Sequence, residues 1–477
     1  MISSDRGAVR IEHDLLGDHD VPADVYYGVH TCRALDNFPI SGVPIARYGD
    51  LVIALASVKQ AAAETNRDLG LLDPGIADAI IAACNEIREG ALHEQFVVDQ
   101  IQGGAGTSTN MNANEVIANR ALEILGYSRG RYDIVHPLEH VNLGQSTNDV
   151  YPTAVKVALA RAAHTLEHSL RELASRCRSK ADEFADVLKL GRTQLQDAVP
   201  MTLGQEFGAY AVTIAEDADR MSEATLLIAE INLGGTAIGT GLNTDPDYAA
   251  RACERLAAIT GLPLSTADDL VEATSDVGAF VQLSGVTKRA AVKLSKICND
   301  LRLLSSGPRS GLGEITLPAV QAGSSIMPGK VNPVIPEVVN QVAFEVMGND
   351  LTVSVAAEAG QLQLNAFEPI IVRALLSSLT HLAAAVDVLG TRCIAGITPN
   401  VDRMREAVYG SASLATALNP LLGYETATAL VAEAMSTGAS IPDLVRRGAL
   451  VDEAVLERIL SPVHLRRTGQ QSPSPVE

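Results

Sequence analysis

Between about residues 274 and 304, Phe280, Leu283, Thr287, Ala290, Leu294, Ile297, Leu301 and Leu304 recur at alternating spacings of three and four. Such a seam belongs to a long helix packed against other helices and fits no β-strand, whose side chains alternate with a period of two. Equivalent seams run through Val155, Leu159, Ala162, Leu166, Leu173, Cys177, Phe184 and Leu188, and through Leu203, Phe207, Tyr210, Ile214, Met221 and Ile228. Stretches at about 333–358 and 369–394 complete a set of five. At about 1.5 Å of rise per residue each spans roughly 40 Å, too long for both ends to be buried in one small domain. Composition agrees: 47% of residues are hydrophobic but only 4% aromatic, with no Trp, so the apolar content is mainly Ala, Leu, Val and Ile, suited to helices. The expectation is a mostly α, three-domain chain with a central long five-helix bundle. Narrow seams on five helices leave apolar faces over, which predicts a closed symmetric oligomer of identical chains.

The bundle, 146–396, stands between two smaller helical regions. Residues 1–145 mix short helical runs (51–64, 76–89, 114–125) with loops such as Gly103-Gly104-Ala105-Gly106. Gly396-Ile397-Thr398-Pro399-Asn400 has the Gly and Pro of a boundary, and a small helical region, 397–465, follows. The polar, Pro-containing tail at 466–477 is expected to be disordered.

With 37 Lys and Arg against 57 Asp and Glu the formal charge is −20, which repels a phosphate backbone and excludes nucleic acid as a partner. No apolar run follows a basic start, and none of about 18 uncharged residues occurs elsewhere, so neither export nor membrane insertion is expected. Six dispersed cysteines form no C-x-x-C pair, which fits a reducing cytoplasm. His164-x-x-Glu167-His168 matches a zinc-protease pattern but offers no third ligand, and Gly323 to Lys330 lacks both the spacing and the Ser or Thr of a P-loop.

The chemistry collects in small polar clusters just outside the long helices. Gly106-Thr107-Ser108-Thr109-Asn110-Met111-Asn112-Ala113-Asn114-Glu115 reads first as helix capping, yet one cap needs only one of these side chains. Gln145-Ser146-Thr147-Asn148-Asp149 precedes the first long helix, and Gly191-Arg192-Thr193-Gln194-Leu195-Gln196-Asp197 separates the first from the second. Neutral donors at a helix N-terminus suit a carboxylate, because free N–H groups and the macrodipole favour negative charge there. A fourth cluster, Gly323-Ser324-Ser325-Ile326-Met327-Pro328-Gly329-Lys330-Val331-Asn332-Pro333, is a glycine-bounded stretch with two hydroxyls, an ammonium and an amide, able to close over an anion. If the helices alternate up and down, 145–149 lies at one end and 192–197 and 323–332 at the other. Antiparallel copies would reunite them, so each site is expected to be shared between chains.

These clusters, in this order around a long-helix core, resemble the signature regions of the aspartase/fumarase superfamily, over roughly residues 10–460. The stretches 191–206, 298–308 and 336–341 are similar to its ammonia-eliminating branch in particular. The resemblance implies a homotetramer with a twenty-helix core, five helices from each of four chains, and sites built from three of them. It implies reversible elimination of ammonia from L-aspartate to give fumarate through an aci-carboxylate, with Ser324 as the base. Thr107, Ser146, Thr147 and Ser325 match positions that hold the β-carboxylate, Lys330 and Asn332 those that bind the α-carboxylate, and Asn148, Thr193 and Gln194 those around the amino group. No metal or organic cofactor is implied as necessary, although an activating divalent cation is left open. Position 194 separates the branches: fumarases of this type characteristically carry His, whereas the amide carbonyl of Gln194 can accept a hydrogen bond from an ammonium but cannot act as a base. A fumarate hydratase and a catalytically silent structural relative are the alternatives.

Overall fold

The computed structural model describes residues 8–465, so the expectation for 466–477 lies outside the described residues. The chain opens with an antiparallel hairpin, β1 (Val9–Asp14) and β2 (Gly17–Pro22), and continues through α1 (Val29–Asn37), α2 (Gly49–Asp68), α3 (Pro74–Arg88) and α4 (Thr107–Ile124). The long helices follow. They are α5 (Thr147–Glu183), α6 (Leu203–Leu227), then after the shorter α7 (Tyr248–Thr260) and α8 (Leu270–Ser275), α9 (Gly278–Leu304), α10 (Val334–Glu358) and α11 (Glu368–Arg392). Short helices, α12 (Val401–Gly410) to α16 (Pro462–Leu465), close the described chain. The molecule is mostly helical, and the five heptad seams fall on α5, α6, α9, α10 and α11.

Two stretches differ from the sequence-based expectation. The first seam was carried through Leu188, but α5 ends at Glu183 and residues Leu188–Thr193 form β3, paired antiparallel with β4 (Gln196–Thr202). The cluster at 191–197 is therefore the tip of a hairpin. The polar run from Thr107 to Glu115 is not a cap preceding a helix at 114. It is the first half of α4, capped by Gly106 without a side-chain bond. Asn112 and Glu115 find partners outside the helix: Asn112 Oδ1 accepts from Val97 N–H at 2.9 Å, and Glu115 accepts from Gly28, His30 and Thr31. In the sequence alone these polar residues read as cap formers because their partners are remote in the chain.

The chain forms two compact units. One contains residues up to 168 with 218–291 and 344–383; the other contains 169–217, 292–343 and the residues from 384 onward. In the first, α2 is buried along nearly its whole length and packs on α3 and α7. Ser284 and Lys288 of α9 meet Asp350 of α10, and Asn349 of α10 donates to Ser378 of α11 at 3.1 Å. In the second, Phe184 and Phe207 stack edge to face, and Asn340 of α10 donates to Ser295 Oγ of α9 at 2.9 Å. Leu188 and Leu190 of β3 join Val408, Leu414, Leu418, Leu444 and Leu456 in one core, so the hairpin is rooted in the C-terminal helices.

All six cysteines are buried and unpaired. One helical segment among the described residues, Glu368–Gly396, is long and apolar enough to cross a membrane, but 72% of its most apolar window is buried within the molecule. On α10, Phe344, Leu351 and Val355 share one face and are 60% or more exposed, an apolar stripe left bare by a single chain.

Candidate active site

In the first unit the site is built on the N-terminus of α5. Ser146 caps the helix: its Oγ accepts from Asn148 N–H at 3.2 Å, and Asp149 Oδ1 reaches back to accept from Ser146 N–H at 2.8 Å. This reciprocal box satisfies two donors at once. Pro152 has no N–H to give the carbonyl four residues earlier, and Asn232 Nδ2 fills that gap by donating to Asn148 O at 2.9 Å. Asp149 Oδ2 accepts from Gly234 and Thr236 N–H, both at 3.0 Å, which ties the loop after α6 to the start of α5.

The side chains around this N-terminus differ in what they can still do. Thr147 Oγ1 accepts from Asn110 Nδ2 at 3.1 Å, so its own proton is free to be donated outward. Ser146 Oγ, also an acceptor, keeps its proton free in the same way. Thr107 Oγ1, by contrast, donates to Gly104 O at 2.7 Å and has spent its proton inside the chain. Asn148 Nδ2 donates to Ala237 O at 2.7 Å, an arrangement that presents Oδ1 as an acceptor. Gly106 has φ +89 and a Cβ there would sit 2.4 Å from the Tyr151 ring, so only glycine allows α4 to start this close to α5.

Behind these groups lies a buried charged layer. The Lys59 ammonium, fully buried in α2, donates to Asn142 Oδ1 at 2.8 Å and Gln145 Oε1 at 2.9 Å. Burial pushes Lys59 down to about 7 and the Asp149 carboxyl up to about 6, while the attraction between the two opposes both shifts.

In the second unit the loop at 323–332 presents Ser324. Its Oγ accepts from Met327 N–H at 2.9 Å and Ile326 N–H at 3.2 Å. Two backbone donors on one hydroxyl oxygen favour its deprotonated form, since they strengthen as negative charge develops. The neck of the loop is pinned where Gly323 N–H donates to Lys330 O and Asn332 Nδ2 to Gly323 O. A Cβ on Gly323 would lie 2.5 Å from Lys330 O. Ser325 and Lys330 are exposed, and among the described residues their side chains make no hydrogen bond or ion pair. Lys330 and Asn332 line a cavity of about 570 Å³ together with Arg302, Ser305 and Asn400.

The hairpin carries Thr193 and Gln194, both exposed. Gln194 and Leu195 have φ of +53 and +64, the left-handed pair that a two-residue turn between β3 and β4 demands. Neither is glycine, so the turn costs on the order of 1–3 kcal/mol per strained residue and persists because its base is held. The base is an ion cluster in which buried Lys189 pairs with Glu206 at 2.7 Å and Glu314 at 2.9 Å, and Arg192 pairs with Glu314 at 2.6 Å. Gln194 lines a separate cavity of about 290 Å³. Within their unit, loop and hairpin thus do not face one pocket, and Thr107, Ser146, Thr147 and Asn148 belong to the other unit.

The first unit thus offers a helix N-terminus with outward hydroxyl donors, suited to a carboxylate, and the second a loop serine whose two N–H partners ease loss of its proton. Two family models match the chain: Lyase over residues 17–348 and Fumarase C C-terminus over residues 414–467. The chain belongs to the aspartase/fumarase superfamily. Among its relatives in that superfamily, the aspartate ammonia-lyase of Pseudomonas aeruginosa is 60% identical over 457 residues, 96% of each chain. That of Escherichia coli K12 is 52% identical over 454 residues, 95% of each. The crystal structure of fumarate lyase:delta crystallin from Brucella melitensis bound to cobalt superposes with a TM-score of 0.94 at 54% identity, covering 97% of this chain and all of that one. The class II fumarase of Schistosoma mansoni superposes at 0.90 with 36% identity, over 95% of this chain and 98% of that one.

Sequence reasoning named the hydroxyls, gave Asn110 and Asp149 no role beyond membership of their clusters, and missed Lys59 and Asn142 behind them. A signal existed. Lys59 continues the row Leu51, Leu55 at intervals of four, a charge placed on the apolar face of its helix, and Asp149 stands three residues after the cap Ser146, where a capping box requires an acid or amide. His164, by contrast, is exposed and 3.4 Å from Glu167, on an open helix surface.

Proposed function

We propose that this chain catalyses the reversible elimination of ammonia from L-aspartate to give fumarate. The observation that carries the reading is the loop serine whose oxygen receives two backbone N–H groups, in a chain 60% identical to an aspartate ammonia-lyase. Ser324, as alkoxide, takes the proton from the carbon beside the β-carboxylate. The electron pair left behind spreads onto that carboxylate as an aci-carboxylate with two negative oxygens. Ser146 and Thr147, joined by Ser325 and by Thr107 once its hydroxyl turns from Gly104, donate to those oxygens, and bonds that tighten as charge builds lower the barrier. The pair then returns to form the carbon–carbon double bond as the C–N bond breaks and ammonia leaves. Lys330 and Asn332 hold the α-carboxylate by a charge-assisted contact and an amide. Asn148 Oδ1, Thr193 and Gln194 accept from the ammonium, with Gln194 selecting an amine over the hydroxyl of malate. The chain's own hydroxyls, ammonium and N–H groups supply the chemistry, and it calls for no organic cofactor or metal.

The working form is a homotetramer in the cytoplasm, with sites shared between subunits. Its support is the bare stripe Phe344, Leu351 and Val355 on α10 and the allotment of loop and hairpin to separate cavities. The central bundle, 146–396, then forms the tetramer core, flanked by the regions 1–145 and 397–465. Mixed tetramers of Thr147→Val and Ser324→Ala chains should show activity well above that of either parent.

The deciding experiment follows fumarate absorbance after addition of L-aspartate or L-malate to purified protein. Signal from aspartate alone is expected. Signal from malate alone would replace the reading by a hydratase, and none from either by a silent structural relative.

A further inference from the structure

The reading of α5 as a carboxylate site raises the question of what keeps Thr147 a donor. A threonine hydroxyl can turn its proton either way, and an asparagine amide can rotate to exchange donor for acceptor. A lysine ammonium cannot: it has three donors and no acceptor. Around Lys59 this one-way group helps to set the direction of the bonds that follow. Asn142 must present Oδ1 to Lys59, at 2.8 Å, and its Nδ2 is then committed to Gln145 O at 3.1 Å. Because Asn142 shows only its carbonyl, Asn110 and Asn114 must each present Nδ2 to it, both at 3.2 Å. The same Nδ2 of Asn110 donates to Thr147 Oγ1 at 3.1 Å, which leaves the threonine proton pointing away from the protein interior. The Oδ1 atoms of Asn110 and Asn114 are buried and have no partner among the described residues, so neither amide is held in this orientation by its own carbonyl. The orientation is set at Asn142 by two groups that cannot reverse, the Lys59 ammonium on its Oδ1 and the Gln145 backbone carbonyl on its Nδ2.

We propose that Lys59 is a positioning residue that, through the Asn142 and Asn110 amides, fixes Thr147 as an obligate hydrogen-bond donor to the substrate carboxylate. The inference rests on the aspartate-elimination reading above. Without the ammonium, only the bond from Asn142 Nδ2 to Gln145 O resists a joint rotation of Asn142 and Asn110, after which Thr147 donates inward to Asn110 Oδ1 and the outward donor is lost. The effect falls on the step in which charge develops on the carboxylate, hence on kcat more than on KM.

The test is a double-mutant cycle on the intact oligomer, with aspartate turnover by the unmodified chain measured first. Lys59→Met should lower kcat about 10- to 100-fold with KM changed less than about threefold, and Thr147→Val about 100-fold. The two should not add: in a Thr147→Val background, Lys59→Met should cost no more than about threefold further, because its target is already gone. Lys59→Gln, which keeps a donor that can reverse, should retain more activity than Lys59→Met. Should Lys59→Met fail to fold, Asn110→Leu interrupts the same chain of bonds without touching the ammonium and takes its place in the cycle. Additive losses, or equal damage from the Gln and Met variants, would overturn the proposal and leave the elimination reading intact. Absence of turnover by the unmodified chain would remove the reading and the proposal together.

Discussion

The start of α5 and the loop at 323–332 carry comparable numbers of polar side chains but are built in opposite ways. Around Ser146 and Thr147 almost every group is held twice, by the capping box, by the N–H groups of Gly234 and Thr236 on Asp149, and by the amides that lead back to Lys59. The loop's bonds are its own, the neck at Gly323 and the turn of Ile326 and Met327 N–H onto Ser324 Oγ, while Ser325, Ile326, Met327 and Lys330 are exposed. On the proposed mechanism the difference is a division of labour. A group that must meet growing charge gains most from being fixed in advance, whereas a base must let substrate in and then exclude water.

The largest effect expected falls on the loop. Ser324→Ala should lower kcat by about 10³-fold or more, while fumarate binding, oligomer mass and melting temperature stay as they are. Activity within tenfold of the parent in a stopped assay would remove Ser324 as base and collapse the division. Next comes a contrast inside the fixed half: Thr147→Val should cost about 10²-fold in kcat, and Thr107→Val less than tenfold, because the Thr107 proton is bound to Gly104. Equal losses in steady-state kinetics would show that the two hydroxyls are not distinguished by their internal bonds. Lys330→Ala, losing a charge-assisted contact, should raise KM about 10- to 100-fold with a smaller fall in kcat. An unchanged KM would place the α-carboxylate elsewhere.

The smallest effect concerns stability in the fixed unit. Burial pushes Glu368 up to about 8 and Glu115 up to about 7, so both bind protons more tightly folded than unfolded. Their contribution is fully present below the unfolded carboxylate pKa of about 4 and is lost as pH rises through the folded values, so melting temperature should fall between about pH 4 and 8. Lys59, pushed down to about 7, acts in the opposite sense only above that pH. Glu368→Gln should flatten the decline; an identical slope in calorimetric scans from pH 5 to 8 would mean that this carboxyl is not neutral when folded.

Much of the fold was legible because heptad spacing needs no distant partner to be recognised. The limits of the long helices fall within a few residues of the seams, save where α5 gives way to β3. There the alternation of Leu188 and Leu190 was absorbed into a helical reading, since two apolar residues two apart fit a helix edge as well as a strand. The hydroxyls and the loop were legible as an excess of polar side chains over what capping requires. The bonding state of Thr147 was not, because its outward donation depends on Asn110, 37 residues away, whose placement no local pattern fixes.

By itself, then, the sequence determined the helix periods, the clusters at the helix ends and the type of residue available for each chemical step, all properties of neighbours within one or two turns. The tertiary structure alone decided that Lys59 is interior, that Asp149 ties the loop after α6 to α5, and that the connection carrying Gln194 is a hairpin. Those outcomes are set by burial and by partners 80 or more residues away in the chain, as in the bonds from Lys59 to Asn142 and from Gly234 to Asp149. Burial cost and hydrogen-bond direction exist only once those partners have met.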